Sequence, residues 1–383
     1  MIPRFVHLAE VSPEVGLHGS ALFYRLYREL PPESILVVEP WALSQPQRRL
    51  PGVEYRVMGP RPPGRVRLGS IRQWLGLKAE RQRIGQVCHD FRPEALVTLA
   101  HGWKWIPACL WARERGIPYH LFVHDAGGGF LPSTFGRLRI RAVDRWIFGR
   151  FYRSASSRLC ISPFMEERFR QRYGVGGDVI MPTVGNDAWI QGVPGLKTGE
   201  PTGQLQIAYA GSLNLHHESL KVLGEVLAET GGSLHLFGEP ALGVFAQNQK
   251  GMTYRGQLGE KELIESLHQE FHAAFLPVDF SREGKEWAEL AFPSKLTAYT
   301  AAGIPVLIRG PEWCSAIRWV RKNGGIGVAV TEKDERSLNQ GVGLLLQAQA
   351  RQESGLRALE LCRESFSQKW ASQVFLKKLQ KEK

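Results

Sequence analysis

Short apolar runs, each followed by an amphipathic stretch, recur along this chain and restrict it to one kind of architecture. Residues 35–38, 95–99, 119–123, 205–210, 234–237 and 273–278 are too short for buried helices and lack the alternation of a half-solvated strand. Runs of this kind between helical segments mark strands buried on both faces, as in a parallel α/β sheet. Further strands are expected at 5–9, 53–58, 158–161 and 179–181 in the first half, and at 252–254, 305–308 and 326–330 in the second. Helices are expected over about 20–30, 103–115 and the stretch ending near Tyr173-Gly174, and the last 50 residues read as helical.

The series occurs twice. Residues 182–204 are rich in Gly, Pro and Thr and lack periodicity, and a new series opens at residue 205. We therefore expect a first domain at 1–184, a linker at 185–204, a second domain at 205–365 and a C-terminal helix at 366–383 that packs back on the first domain. A chain of 383 residues accommodates two such domains.

Composition narrows the function. No apolar run approaches the roughly 20 residues that a spanning helix needs, and MIPRFVHLAEVSPE turns polar too early for a signal peptide. The five cysteines are scattered, without a C-x-x-C, so buried free thiols in a reducing compartment are expected. The net charge of +12 is lopsided: residues 1–200 hold 28 Lys and Arg against 17 Asp and Glu, whereas residues 201–383 hold 21 against 20. A basic first half suits an anionic substrate, an anionic membrane or nucleic acid. Two segments concentrate it: the Pro/Arg-rich stretch from Gly59 into the basic helix ending at Arg83, and 133–154, where arginines alternate with Trp146, Ile147, Phe148, Phe151 and Tyr152. No aromatic–basic motif for nucleic-acid recognition accompanies the charge.

Ligands of open parallel sheets bind beyond the carboxyl ends of the strands. Here those ends carry Glu10 with the loop of Gly16 and Gly19, then His124-Asp125 before Gly127–Gly129, then Gly211-Ser212, then Gly238-Glu239, and finally a charged loop at 279–289. The last leads to FPSKLTAYTAAGIPVLI at 292–308, where Pro293 stands at a helix start followed by Ser294 and Lys295. Such a start binds anions through unpaired amides, or is simply well capped, and spacing does not choose between the two. His124 reads equally as a ligand contact or as a core histidine. There is no G-x-G-x-x-G, no P-loop and no G-x-S-x-G, and His216-His217 has no partner at metal-ligand spacing, so no metal site and no cofactor are expected.

These motifs together resemble the GT-B glycosyltransferases, nearest to retaining family 4 of the bacterial polysaccharide type. FPSKLTAYTAAGIPVLI is similar to the PSKLxEYxAAGxPV block of those enzymes, with support from IAYAGSLN, LFGEP, MTYRGQLGEKEL, FVHD and CISPFMEERFRQRYG followed by VIMPTVGND. The resemblance implies an α/β fold of two Rossmann-like domains facing each other across a cleft. It also implies a metal-independent, retaining transfer from a UDP- or GDP-sugar to a polysaccharide, lipid-linked or other glycan acceptor. Retention without a clear nucleophile implies a front-face substitution in which the leaving diphosphate helps deprotonate the acceptor. The resemblance implies that the amides of Ser294, Lys295 and Leu296 hold the diphosphate, which Gly16 approaches closely from the first domain. It sets Gly211, Ser212, His217 and Gly238 at the donor, the backbone near Gln257-Leu258 at the base, His124 at the transferred sugar, and acceptor activation around His124 and Asp125. The free thiols suit a cytoplasmic location, and the basic first half one that rests on the inner membrane face.

Departures from the family stand beside these matches. Its Arg and Lys on the diphosphate correspond to Ser212 and His217 here. Its ribose-binding Glu corresponds to Ala298, and the first Glu of that pair to Leu290, with Glu289 one residue away as the stand-in. Lys295, Arg282 and Lys285 are candidates to replace the lost charge. The alternative reading is a non-catalytic nucleotide-sugar-binding or partner subunit.

Overall fold

The computed structural model describes residues 2–16, 19–60, 74–125, 141–186, 188–198, 204–213, 215–239 and 250–380, without the side chains of 141 and 142. The expectations for Gly127–Gly129, for most of the Pro/Arg-rich stretch and for 133–140 lie outside these residues. The chain divides into two compact units, Met1–Met181 with Lys369–Lys383, and Pro182–Gln368.

In the first unit β1 (Phe5–Leu8), β2 (Ile35–Glu39), β3 (Glu54–Val57), β4 (Ala95–Leu99), β5 (Tyr119–Val123), β6 (Ser157–Cys160) and β7 (Asp178–Val179) form one sheet in the order β3-β2-β1-β4-β5-β6-β7. Every pairing is parallel. Strands β1, β2, β4 and β5 are buried along their whole length, which is why they read as unbroken apolar runs. Helices α1 (Gly19–Tyr27), α2 (Leu77–Val87), α3 (Trp105–Glu114), α4 (Arg141–Ser154) and α5 (Pro163–Tyr173) connect them. Helix α5 shows its ends in sequence: Ser162 caps the Met165 amide at 3.0 Å, Pro163 occupies the first turn, and Gly174 closes it at φ 72°. Strand β7 has only two residues and begins one residue before the stretch expected at 179–181.

In the second unit β8 (Gln206–Ala210), β9 (Ser233–Phe237), β10 (Met252–Gly256), β11 (Ala273–Pro277), β12 (Val306–Arg309) and β13 (Gly327–Val330) are ordered β10-β9-β8-β11-β12-β13, again all parallel. Helices α6 (His217–Glu229), α7 (Glu260–Glu270), α8 (Lys285–Leu290), α9 (Lys295–Ala301), α10 (Ser315–Asn323), α11 (Glu335–Leu344) and α12 (Ala348–Ser365) cover the sheet. Ile207, Leu223, Leu227, Leu236, Phe275 and Leu307 are among the core side chains. Each such side chain, fully buried, contributes about 1.5–3 kcal/mol.

One stretch differs from the expected boundaries. Part of the stretch expected as a linker is bonded within the second unit: Gly195 N donates to Gly303 O at 2.8 Å and Leu196 N to His268 O at 2.7 Å. The last helix, α13 (Gln368–Leu379), lies almost wholly in the first unit, where Phe375 packs against Phe5, Tyr27 and Phe122 with ring centroids 5.6–6.1 Å apart. Lys378 Nζ also lies 3.1 Å from Asp178.

In both sheets the strand order reverses direction from the second half of the series onward, between β1 and β4 in one unit and between β8 and β11 in the other. Loops that leave a sheet on either side of such a switch point diverge and leave a crevice at the carboxyl ends.

Candidate functional site

At the switch point of the second unit, β8 and β9 end in Gly211 and Gly238, both at φ 154°, which excludes most side chains. A Cβ on Gly238 would stand 2.1 Å from the carbonyl oxygen of Gly211, and a Cβ on Gly211 would stand 2.0 Å from Cε of Lys295. The missing side chain at 211 thus makes room for the Lys295 stem. Its ammonium lies 5.0 Å from the centre of the Tyr209 ring. Among the described residues no carboxylate pairs with it, and burial pushes the Lys295 amine down to about 8. A buried cation without a counter-charge is costly, and a bound anion removes the cost.

The surrounding groups are arranged as follows. Ser294 is exposed at the start of α9, and neither its amide nor that of Lys295 makes a backbone hydrogen bond among the described residues. Leu296 is buried, and its amide already donates to Pro293 O at 3.2 Å. The Ser212 carbonyl accepts from Tyr209 Oη at 2.9 Å, and His217 Nε2 donates to Leu213 O at 2.6 Å, so His217 is turned onto its own loop. His216 sits at φ 64°; its burial, with Lys295 nearby, holds its imidazole down at about 4. Asp279 faces His216 from the end of β11 and is kept ionised by the Ser281 amide at 2.9 Å. Glu289 is mostly buried and lies 3.6 Å from Lys285 Nζ, whereas Leu290 points into the core. Leu258 stands in the half-buried loop between β10 and α7. Of the residues expected here, Gly211, Gly238 and Lys295 are drawn together directly.

The first unit has its own cluster at the ends of β1, β4 and β5. His124 stacks on Phe23 at 5.8 Å, and its Nδ1 lies 3.3 Å from where a Cβ on Gly19 would be. Among the described residues its Nε2 is buried without a hydrogen-bond partner, and burial lowers the imidazole to about 4. Asp125 accepts a hydrogen bond from His101 Nδ1 at 3.0 Å, which raises the histidine above its ordinary value. Glu10 accepts from the amides of Trp103 at 2.6 Å and Lys104 at 3.0 Å. Gly16 is exposed, and its loop is fastened from below, with Tyr55 Oη donating to Pro13 O at 2.6 Å and Val15 N to Arg48 O at 2.8 Å. Glu10 was named only as a strand end, and His101 was not among the expected site residues, although it stands two residues beyond β4, the position that was the available signal. Among the described residues no group of three His, Cys, Asp or Glu is placed to hold a metal ion.

Residues 9–182 match the family model described as a glycosyl transferase 4-like domain. The first domain is glycosyl transferase 4-like, on a GT-B fold. Three solved structures show how far the likeness of fold extends. Sucrose-phosphate synthase from Thermosynechococcus elongatus superposes at a TM-score of 0.66 with 13% identity, over 97% of this chain and 96% of that one. Anabaena HepE in complex with UDP gives 0.67 at 12%, over 98% and 99%. The UDP-forming α,α-trehalose-phosphate synthase from Burkholderia vietnamiensis gives 0.65 at 13%, over 99% of each. No curated protein matches the chain. In GT-B terms, the second unit of this chain carries the Lys295 cluster and its glycosyl transferase 4-like domain carries the His101, His124 and Asp125 cluster.

Proposed function

We propose that the chain transfers a sugar from a UDP- or GDP-sugar to a hydroxyl of a polysaccharide, lipid-linked or other glycan acceptor, with retention of configuration and without a metal. The observation that carries this reading is Lys295, half-buried beside Gly211 at a sheet switch point with no counter-charge among the described residues. A diphosphate supplies two negative charges there, and Lys295 stabilises it as it leaves. The unengaged amides of Ser294 and Lys295 add donors. Lys295 thereby takes the place of the cations that the family has where this chain has Ser212 and His217. HepE has been solved with UDP and with UDP-glucose, which supports a uridine donor for this chain as well. Glu289 is the carboxylate nearest to the family's first Glu, and retention follows from the family resemblance.

The basic first half is proposed to rest on an anionic membrane through α4, where Trp146 is exposed and Arg150 lies 5.9 Å from the centre of its ring. Lys and Arg near such a surface contribute about 1 kcal/mol each. No helix among the described residues is long and apolar enough to cross a membrane. Binding to phosphatidylglycerol vesicles that falls with salt is the expected result, and binding indifferent to lipid charge overturns this part.

A melting-point screen of UDP- and GDP-sugars tests the donor reading, because a ligand that binds only the folded state raises Tm. Lys295→Ala is expected to abolish the rise. Donor binding without turnover on any acceptor favours the alternative of a non-catalytic subunit.

A further inference from the structure

Two polar groups of the second unit lack a partner around one strand end. Lys295 fills the space beside Gly211, with no carboxylate paired to it among the described residues. His216 lies on the loop that runs from Gly211 into α6, and its half-buried imidazole makes no hydrogen bond among the described residues. Its backbone is left-handed, at φ 64° and ψ 22°, which is uncommon for any residue but glycine. Neighbouring bonds hold it there. The His216 carbonyl accepts from Leu220 N at 3.0 Å, and the Ser212 carbonyl of the same loop accepts from Tyr209 Oη at 2.9 Å. His217, at the position of the family's Lys, is committed to Leu213 O at 2.6 Å. The imidazole beside it is left over.

The charged groups facing His216 are Lys295 from α9, Asp279 from the end of β11 and His217 from α6, while Lys333 in turn acts on Asp279. In the empty protein, burial and the Lys295 charge keep a proton off the His216 ring, and Asp279 favours one. A diphosphate on Lys295 shifts that balance. An anion within about 4–6 Å favours a charged imidazole by about 10- to 1,000-fold.

We propose that His216 is a phosphate ligand of this site that takes up a proton from solvent as the diphosphate of the donor binds. The inference rests on the donor reading above. Lys295 by itself matches one of the two charges of a diphosphate, and His216 supplies the other. A second permanent cation would repel Lys295 in the empty protein, whereas one formed on binding does not. No bond of the donor breaks in this step. The proton comes from water or buffer and ends on a ring nitrogen, which donates it to a phosphate oxygen.

The test is calorimetry of UDP-glucose binding to the full chain at pH 6, in two buffers of different ionisation enthalpy, which counts the protons exchanged. The diphosphate of UDP-glucose is esterified at both ends and, unlike that of UDP, has no group titrating near pH 6. Lys295 is already charged at that pH, so it takes up nothing. An uptake of about half a proton or more is expected in the parent and none in His216→Asn, since asparagine tolerates the left-handed backbone. The variant should bind about tenfold more weakly at pH 6 and approach the parent at pH 8. A cooperative ligand-free melt shows that it is folded. Binding without proton uptake in the parent, or with equal uptake in the variant, overturns the inference and leaves the donor reading standing. If no nucleotide sugar raises Tm, the donor reading falls instead, and the inference with it.

Discussion

Lys295 lies where a side chain on residue 211 would have to be, its Cε 2.0 Å from the Cβ that Gly211 lacks. Gly211→Ala is therefore expected to expel the lysine and strain a backbone at φ 154°. Cost to stability should be about 1–3 kcal/mol, with UDP affinity falling at least tenfold by calorimetry. An alanine variant that binds UDP as tightly as the parent would separate Lys295 from the phosphate.

Removing the lysine should have opposite effects on the empty and loaded protein. In Lys295→Met the half-buried unpaired charge is gone, so the ligand-free Tm is expected to rise while the UDP-induced increment disappears. The sign with pH follows from the lowered amine. Unfolded Lys titrates at 10.5 and folded Lys295 at about 8, so its penalty is complete below pH 8 and fades as pH rises toward 10.5. Urea midpoints of the parent minus the variant, taken from pH 7.5 to 10, should climb.

Acid should act through buried histidines. His7, His120 and His124 in the first unit, and His216 and His272 in the second, are all pushed to about 4, mainly by burial. Unfolded histidines take up protons near pH 6.5, so stability is expected to fall from there toward pH 4. Among the described residues His124 Nε2 makes no hydrogen bond, so His124→Phe should flatten that fall. A midpoint that falls as steeply in the variant would exclude His124 as a contributor.

The last helix is expected to be indispensable to the first unit. Phe375→Ala opens the contact with Phe5, Tyr27 and Phe122, at a cost of about 3–5 kcal/mol. Hydrogen exchange should report the loss in β1 and β5 and leave β8 and β11 protected.

Tyr55 tests the loop that carries Gly16. Its hydroxyl donates to Pro13 O at 2.6 Å and accepts from Leu50 N at 3.1 Å. Tyr55→Phe should cost about 1–3 kcal/mol, read as a lower urea midpoint, since Pro13 O loses its donor and Leu50 N its acceptor.

Strands and helices were legible where local physics decides them. The runs at 95–99 and 119–123 became β4 and β5 with the expected limits, and Ser162, Pro163 and Gly174 marked α5 at both ends. The part of 185–204 that bonds to Gly303 and His268 read as a linker because its hydrogen bonds go to residues far along the chain, which no local pattern reveals. His101 escaped notice for the same reason, its partner being on the neighbouring strand.

By itself the sequence determined two series of buried parallel strands, the glycines at their carboxyl ends, and a helix start bearing Ser294 and Lys295. These follow from periodicity and backbone freedom, which act within a few residues. The tertiary structure alone decided that β1 lies beside β4 and β8 beside β11, and hence which strand ends meet. That order brought Lys295 into the space beside Gly211 and His101 within reach of Asp125. Side chains distant in sequence acquire a common chemistry only when the order of strands makes them neighbours.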